Sequence, residues 1–250
     1  MKPHIYLQAM GALSAMGDDV LQARQALFAT HCPPTLQFTQ QYSAGQLLPL
    51  GMLPASVQLP ALAFAEQRFQ SRNNALAWAA ACKIRTQIDS AIANFGPHRV
   101  GIVLGTSTSG VEEGQVAAGQ WLAGNGFPAH FDYALQEMGN VAQFLSHHLG
   151  IKGPAHVIST ACSSGAKALA SAARWLQAGM VDAVIAGGVD ALCSFTVAGF
   201  RALDSVSSQR CNPLSRNRNG INLGEAASLF LLGRHAGYCD RCTGSQYSEK

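Results

Sequence analysis

The chain has 250 residues, 48% hydrophobic and 12% charged, with a net charge of +3. Low charge and 25 glycines exclude a disordered or fibrous chain and point to a tightly packed α/β protein with one large core or two small ones. The modest charge, with no basic tract, excludes a nucleic-acid partner, and no apolar run reaches the roughly 18–20 uncharged residues of a membrane span.

In chain order, "HIYLQAMGAL" (4–13) reads as a strand entering a glycine turn, and it lacks the long apolar region of an export signal. "DDVLQARQALFAT" (18–30) is a short amphipathic helix with acids in its first turn. Residues 31–64, with prolines and glycines among short apolar runs, predict a surface excursion with a small hairpin. "RNNALAWAAACKIRTQIDSAIANF" (72–95) is the longest helical pattern, apolar on most faces and so expected to be largely buried. "RVGIVLGTSTSG" (99–110) is a strand entering a Gly/Ser/Thr loop, and helical patterns follow near 112–123 and 134–148. Next comes "VISTACSSGAKALASAARWLQAG" (157–179), then "DAVIAGGVDAL" (182–192), a buried strand ending in a double glycine, and the central strand "EAASLFLL" (225–232). Strands alternating with helices predict an α/β fold on a mixed or parallel sheet.

The pattern stops near residue 232, which makes 1–232 one domain and 233–250 an aberrant or disordered tail. His235, Cys239 and Cys242 in that tail could form a three-ligand zinc cluster, but one isolated CxxC is a weak signal. No metal is therefore assigned. Seven cysteines at irregular spacing do not make a secreted disulfide framework, which favours a cytoplasmic location.

Cys162 lies where a β-branched run becomes an Ala/Leu-rich helix stopped at Gly179. Unpaired N–H groups and the dipole at a helix start favour an anionic sulfur and offer a donor to an oxyanion. A small thiol packed between strand and helix has the same local sequence, so nucleophile and core filler both stand. His147 and His148 read as an exposed helix face, Cys193 and Cys211 as packed thiols.

Several stretches, in order, resemble the beta-ketoacyl-acyl-carrier-protein synthase family, whose fold is thiolase-like. They are "GTSTSG" (105–110), "GPAHVISTACSSG" (153–165), "AGGVDALCSFTVAGFRAL" (186–203) and "CNPLSRNRNGINLGEAASLFLL" (211–232). The resemblance implies a layered α/β/α fold, the N-terminal half of a ketosynthase. It implies Cys162 as the acylated cysteine and Gly199 and Phe200 as the edge of the acyl channel. Arg68 and Arg72, spaced i, i+4, would dock an acyl carrier protein, although a solvated helix face explains them equally. The strand near 155–160 would pair across a twofold axis in a homodimer or a heterodimer with another ketosynthase. Glu225 matches the family's buried glutamate, although a strand-end carboxylate with local hydrogen bonds explains it equally. Its usual lysine neighbour is missing from this sequence. No cofactor is implied. The chemistry would be a decarboxylating Claisen condensation from an acyl-cysteine thioester, in fatty acid or polyketide-type synthesis.

The sequence also departs from the family. Leu214-Ser215 stands for Phe-Asp, Asn219 for an acid, and Ala226 for the last glycine of Gly-Glu-Gly. None of the eight histidines stands in a context like the family's catalytic pair, so a shortened or frameshifted chain inactive in condensation is expected. The alternatives are a non-catalytic chain-length or scaffold partner, which usually lacks the cysteine, and a cysteine hydrolase, which would need a base.

Overall fold

The structure, a computed structural model, describes residues 4–29 and 35–235. Cys239, Cys242 and nearly all of the expected tail lie outside the described residues. In chain order the elements are β1 (Tyr6–Ser14), α1 (Val20–Leu27), β2 (Gln37–Thr39), β3 (Leu48–Leu50), α2 (Arg72–Lys83), α3 (Arg85–Phe95), β4 (Val100–Gly105) and α4 (Val111–Leu122). They continue with α5 (Asn140–Leu149), β5 (Ala155–Ile158), α6 (Ser164–Gln177), β6 (Ala183–Asp190), α7 (Ser194–Ala202) and β7 (Ala226–Gly233).

The main sheet runs β1-β7-β6-β4-β5. β4 is parallel to β5 and β6, whereas β7 is antiparallel to β6 and β1. Parallel neighbours need crossovers, and the helices that make them cover both faces of the sheet. Its central strands therefore carry unbroken apolar runs, and every residue of β4 is buried. Side-chain alternation divides the core in two. Ile102 and Leu104 of β4, Ile185 of β6 and Leu229 of β7 meet α2 and α5 on one face. Val103, Val184 and Ala186 meet Ala168, Ala172 and Leu176 of α6 on the other. The result is the expected α/β/α layering.

Two expected helices are divided. The 72–95 pattern breaks at Ile84, which stays buried at 2% exposure while the chain bends away. Beyond it, α3 buries only Ile88 and Ala91. The 134–148 pattern becomes a short 3-10 turn, Tyr133–Gln136, followed by α5. The reading of His147 and His148 as a wholly exposed face is corrected for His148. Its ring packs on Phe144 with centroids 4.9 Å apart, on Phe64 at 5.0 Å and on Trp78 at 6.2 Å. Phe64 comes from a distant loop, so the helical pattern alone could not show this.

Candidate active site

Three parallel strands deliver their carboxyl ends to the same end of the sheet, the usual place for a site in an open α/β sheet. The turns after β4, β5 and β6 meet there, and antiparallel β7 starts there with Glu225 just before it. Cys162 stands in the turn after β5 and is exposed.

The turn holding Cys162 is tightly built. Ala161 adopts φ +54°, a left-handed conformation that a non-glycine residue holds only when its surroundings impose it. Here the hydroxyls of the motif impose it. Thr160 N–H donates to Ser164 Oγ at 2.8 Å, Ser164 Oγ–H donates to Ala161 O at 2.7 Å, and Ser163 Oγ–H donates to Thr160 O at 2.9 Å. The serines of "TACSSG" thus clamp the turn and leave the sulfur at the mouth of α6. Beneath it Gly105 is required, because a Cβ there would stand 2.5 Å from the Ser164 carbonyl carbon. The glycine that ends β4 lets the cysteine's helix sit directly on the sheet.

Next to this turn, Asp190 at the end of β6 organises the 105–110 loop. Its Oδ1 accepts Ser107 N–H at 2.7 Å and the hydroxyls of Thr106 and Thr108 at 3.1 Å each. Asn73, at the start of α2, takes Ala191 N–H at 3.1 Å. Sequence reasoning passed over Asp190 and Asn73. The available signal was a lone acid closing an apolar strand opposite a Gly/Ser/Thr loop.

Glu225 has a fully buried side chain. Arg72 grips it with both arms, Nε to Oε2 at 2.7 Å and Nη2 to Oε1 at 2.6 Å, and Leu53 N–H adds a third bond at 3.2 Å. Arg72 and Arg68 do not share a helix face, because Arg68 lies in the preceding 3-10 turn and Arg72 begins α2. Arg68 is exposed, paired with Glu66 and laid over the Phe69 ring at 4.7 Å. Gly199 and Phe200 sit on α7, the glycine exposed and the phenylalanine half-buried. Cys193 is buried and Cys211 half-buried. Among the described residues no cluster of metal-ligating side chains occurs, and no helix is long and apolar enough to cross a membrane.

A profile of the beta-ketoacyl synthase N-terminal domain matches residues 72–236, a span that holds the cysteine turn, the Asp190 loop and Glu225. The chain belongs to the beta-ketoacyl synthase family. The chain is 32% identical over 161 residues to the ketoacyl synthase alpha subunit of the tetracenomycin polyketide synthase of Streptomyces glaucescens, covering 58% of this chain and 37% of that protein. It is 31% identical over 144 residues to 3-oxoacyl-[acyl-carrier-protein] synthase 2 of Rhizobium meliloti strain 1021, covering 53% and 34%. Among solved structures, a chain of the ketosynthase–chain length factor complex from Xenorhabdus doucetiae superimposes with a TM-score of 0.86 at 37% identity, covering 94% of this chain and 59% of that one. The matched segments thus span about a third of the curated relatives and just over half of the solved chain. The thiolase-like fold expected from the sequence is the fold of these neighbours.

Proposed function

We propose that this chain supplies the acyl-accepting part of a 3-oxoacyl-acyl-carrier-protein synthase. The Cys162 sulfur attacks the thioester carbonyl of an acyl group on a carrier protein's phosphopantetheine. A new carbon–sulfur bond forms, the phosphopantetheine thiol leaves and takes a proton, and the acyl group stays on Cys162. The observation that carries this reading is the exposed cysteine on a hydroxyl-clamped, left-handed turn at the start of α6. Arg68 is the exposed cation offered to an acidic carrier protein. Arg72 offers only the part of its guanidinium that Glu225 leaves in solvent.

The second step is decarboxylation of malonyl-carrier protein and attack of the carbanion on the acyl-cysteine. It needs donors for an enolate. This sequence places no histidine in a motif resembling the family's pair, so those donors come from another polypeptide segment. A second reading is a chain-length partner of a full ketosynthase. It draws on the two-chain complex from Xenorhabdus doucetiae, and the complete "TACSSG" turn speaks against it. The hydrolase reading needs a base at the thiol. The hydrogen bonds of the turn run instead among Thr160, Ala161, Ser163 and Ser164.

The test is product formation from acyl- and malonyl-carrier protein by this chain alone and with the histidine-bearing C-terminal half of a ketosynthase supplied as a second chain, with Cys162→Ala as control. The loss of even one oxyanion donor typically costs about 10²–10³ in rate, so the chain alone is expected to give no measurable product. With the second chain, product that depends on Cys162 is expected. Product that is indifferent to Cys162→Ala, or no product with the second chain present, would overturn this reading.

A further inference from the structure

α7 is held at its start by another helix more than by its own sequence. Only Val197 of its residues is buried, and the side chain of Cys193 at the cap position meets Thr196 Oγ1 at 2.9 Å but takes none of the first N–H groups. The first free N–H groups are taken up by α4. Ser194 N–H donates to Glu112 Oε2 at 2.7 Å, and Phe195 N–H donates to Gln115 Oε1 at 2.8 Å. Ser194 Oγ adds a contact of 3.3 Å to Glu112 Oε1. Glu112 and Gln115 are three residues apart on one helix and therefore face the same way. A carboxylate at a helix start meets the positive end of the dipole and makes charge-assisted bonds to its N–H groups.

The neighbouring acid fixes α4 in turn. Glu113 accepts Arg72 N–H at the start of α2 at 2.7 Å, and Arg72 is locked to Glu225. The first turn of α4 thus joins the beginnings of α2 and α7, and α7 takes its position from a chain of bonds that ends in the core.

We propose that Glu112, seconded by Gln115, is a positioning residue for acyl-chain selectivity. It fixes the start of α7 and thereby where Phe200 stands, about 9 Å further along the helix. This rests on the reading of Gly199 and Phe200 as the edge of the acyl channel. Without the carboxylate, Ser194 N–H loses its partner, α4 holds the first turn of α7 by Gln115 alone, and the position of Phe200 loosens with it.

The test compares wild type with Glu112→Ala, Glu112→Gln and Gln115→Ala. Amide hydrogen exchange is read across 194–202. Uptake by Cys162 is read by mass for a series of short-, medium- and long-chain acyl-pantetheine thioesters, and iodoacetamide alkylation of Cys162 reports the thiol itself. Glu112→Ala is expected to speed exchange in the first turn of α7 about five-fold, as the loss of one cap does. It should also change the ratio of long- to short-chain uptake while leaving the alkylation rate unchanged. Glu112→Gln keeps an acceptor oxygen and should fall between the two, and Gln115→Ala should shift both readouts more weakly. Unchanged exchange in α7 would overturn the proposal. So would faster exchange with an unchanged chain-length ratio. If wild type accepts no acyl group of any length, the ketosynthase reading itself fails, whereas the exchange measurement still decides whether α4 holds α7.

Discussion

Arg72 and Glu225 stand 153 positions apart and meet in a bidentate pair, so neither residue's role could be read from its own surroundings. From the sequence, Glu225 lacked its usual lysine neighbour and Arg72 looked like a docking cation. The fold makes one the answer to the other. Removing the arginine strands a carboxylate with a fully buried side chain on one remaining N–H. Arg72→Ala should destabilise the protein by about 3 kcal/mol, the low end for breaking a buried pair, because the guanidinium keeps some solvent contact. Arg72→Lys should lose less but still measurably, since an ammonium cannot make the two-armed bond. Urea unfolding measures both, and a loss under about 1 kcal/mol for Arg72→Ala would reduce the pair to a surface contact. The turn that carries Cys162 was legible, because a β-branched run followed by small residues and a helical period marks a strand-to-helix turn. Cys82 is also exposed, but burial pushes its thiol up, with Arg85 opposing only in part, and Cys193 is buried. Limiting iodoacetamide should therefore label Cys162 first among the described cysteines. First label on Cys82 would contradict the favoured place of Cys162 at the mouth of α6.

Among the elements, β4 and β7 were legible to within a residue or so, because strands covered on both faces must be continuous apolar runs, whereas β6 runs on through its double glycine to Asp190. The break at Ile84 was not legible, since nothing in "CKIRTQ" stops a helix and Ile84 shares one core with Ile88 and Ala91 of α3. The packing of His148 was hidden for a similar reason, as its neighbours Phe64, Phe69 and Trp78 come from segments before it in the chain. Desolvation among these rings, and next the charge of His147, hold the His148 imidazole below the ordinary histidine value, with Glu66 opposing. The folded state thus keeps His148 neutral at a pH where the unfolded chain already takes up the proton. Stability should fall as pH drops below about 6.5 and keep falling until the folded imidazole is protonated too. His148→Phe keeps the ring packing and should flatten that part of the curve. Urea midpoints between about pH 7 and about pH 5 would show it, and identical slopes for wild type and variant would remove His148 as the cause.

At the scale of the molecule, β5 ends the sheet with β4 as its one partner among the described residues, which leaves a row of backbone donors and acceptors at the edge. Beside α6, a groove lined by Leu169, Ala226 and Phe230 leaves apolar surface open on the other face. The chain should therefore self-associate, and a clean monomer in sedimentation velocity at micromolar concentration would contradict this. The order and layering of the strands gather Cys162, the Asp190 loop and Glu225 at one end of the sheet, and the account as a whole rests on what Cys162 does there. The most direct measurement is the intact mass and peptide map of the chain after incubation with acyl-carrier protein, beside Cys162→Ala. One acyl group is expected as a thioester on Cys162, released by hydroxylamine and absent from the variant. No transfer to wild type, or equal transfer to Cys162→Ala, would contradict this.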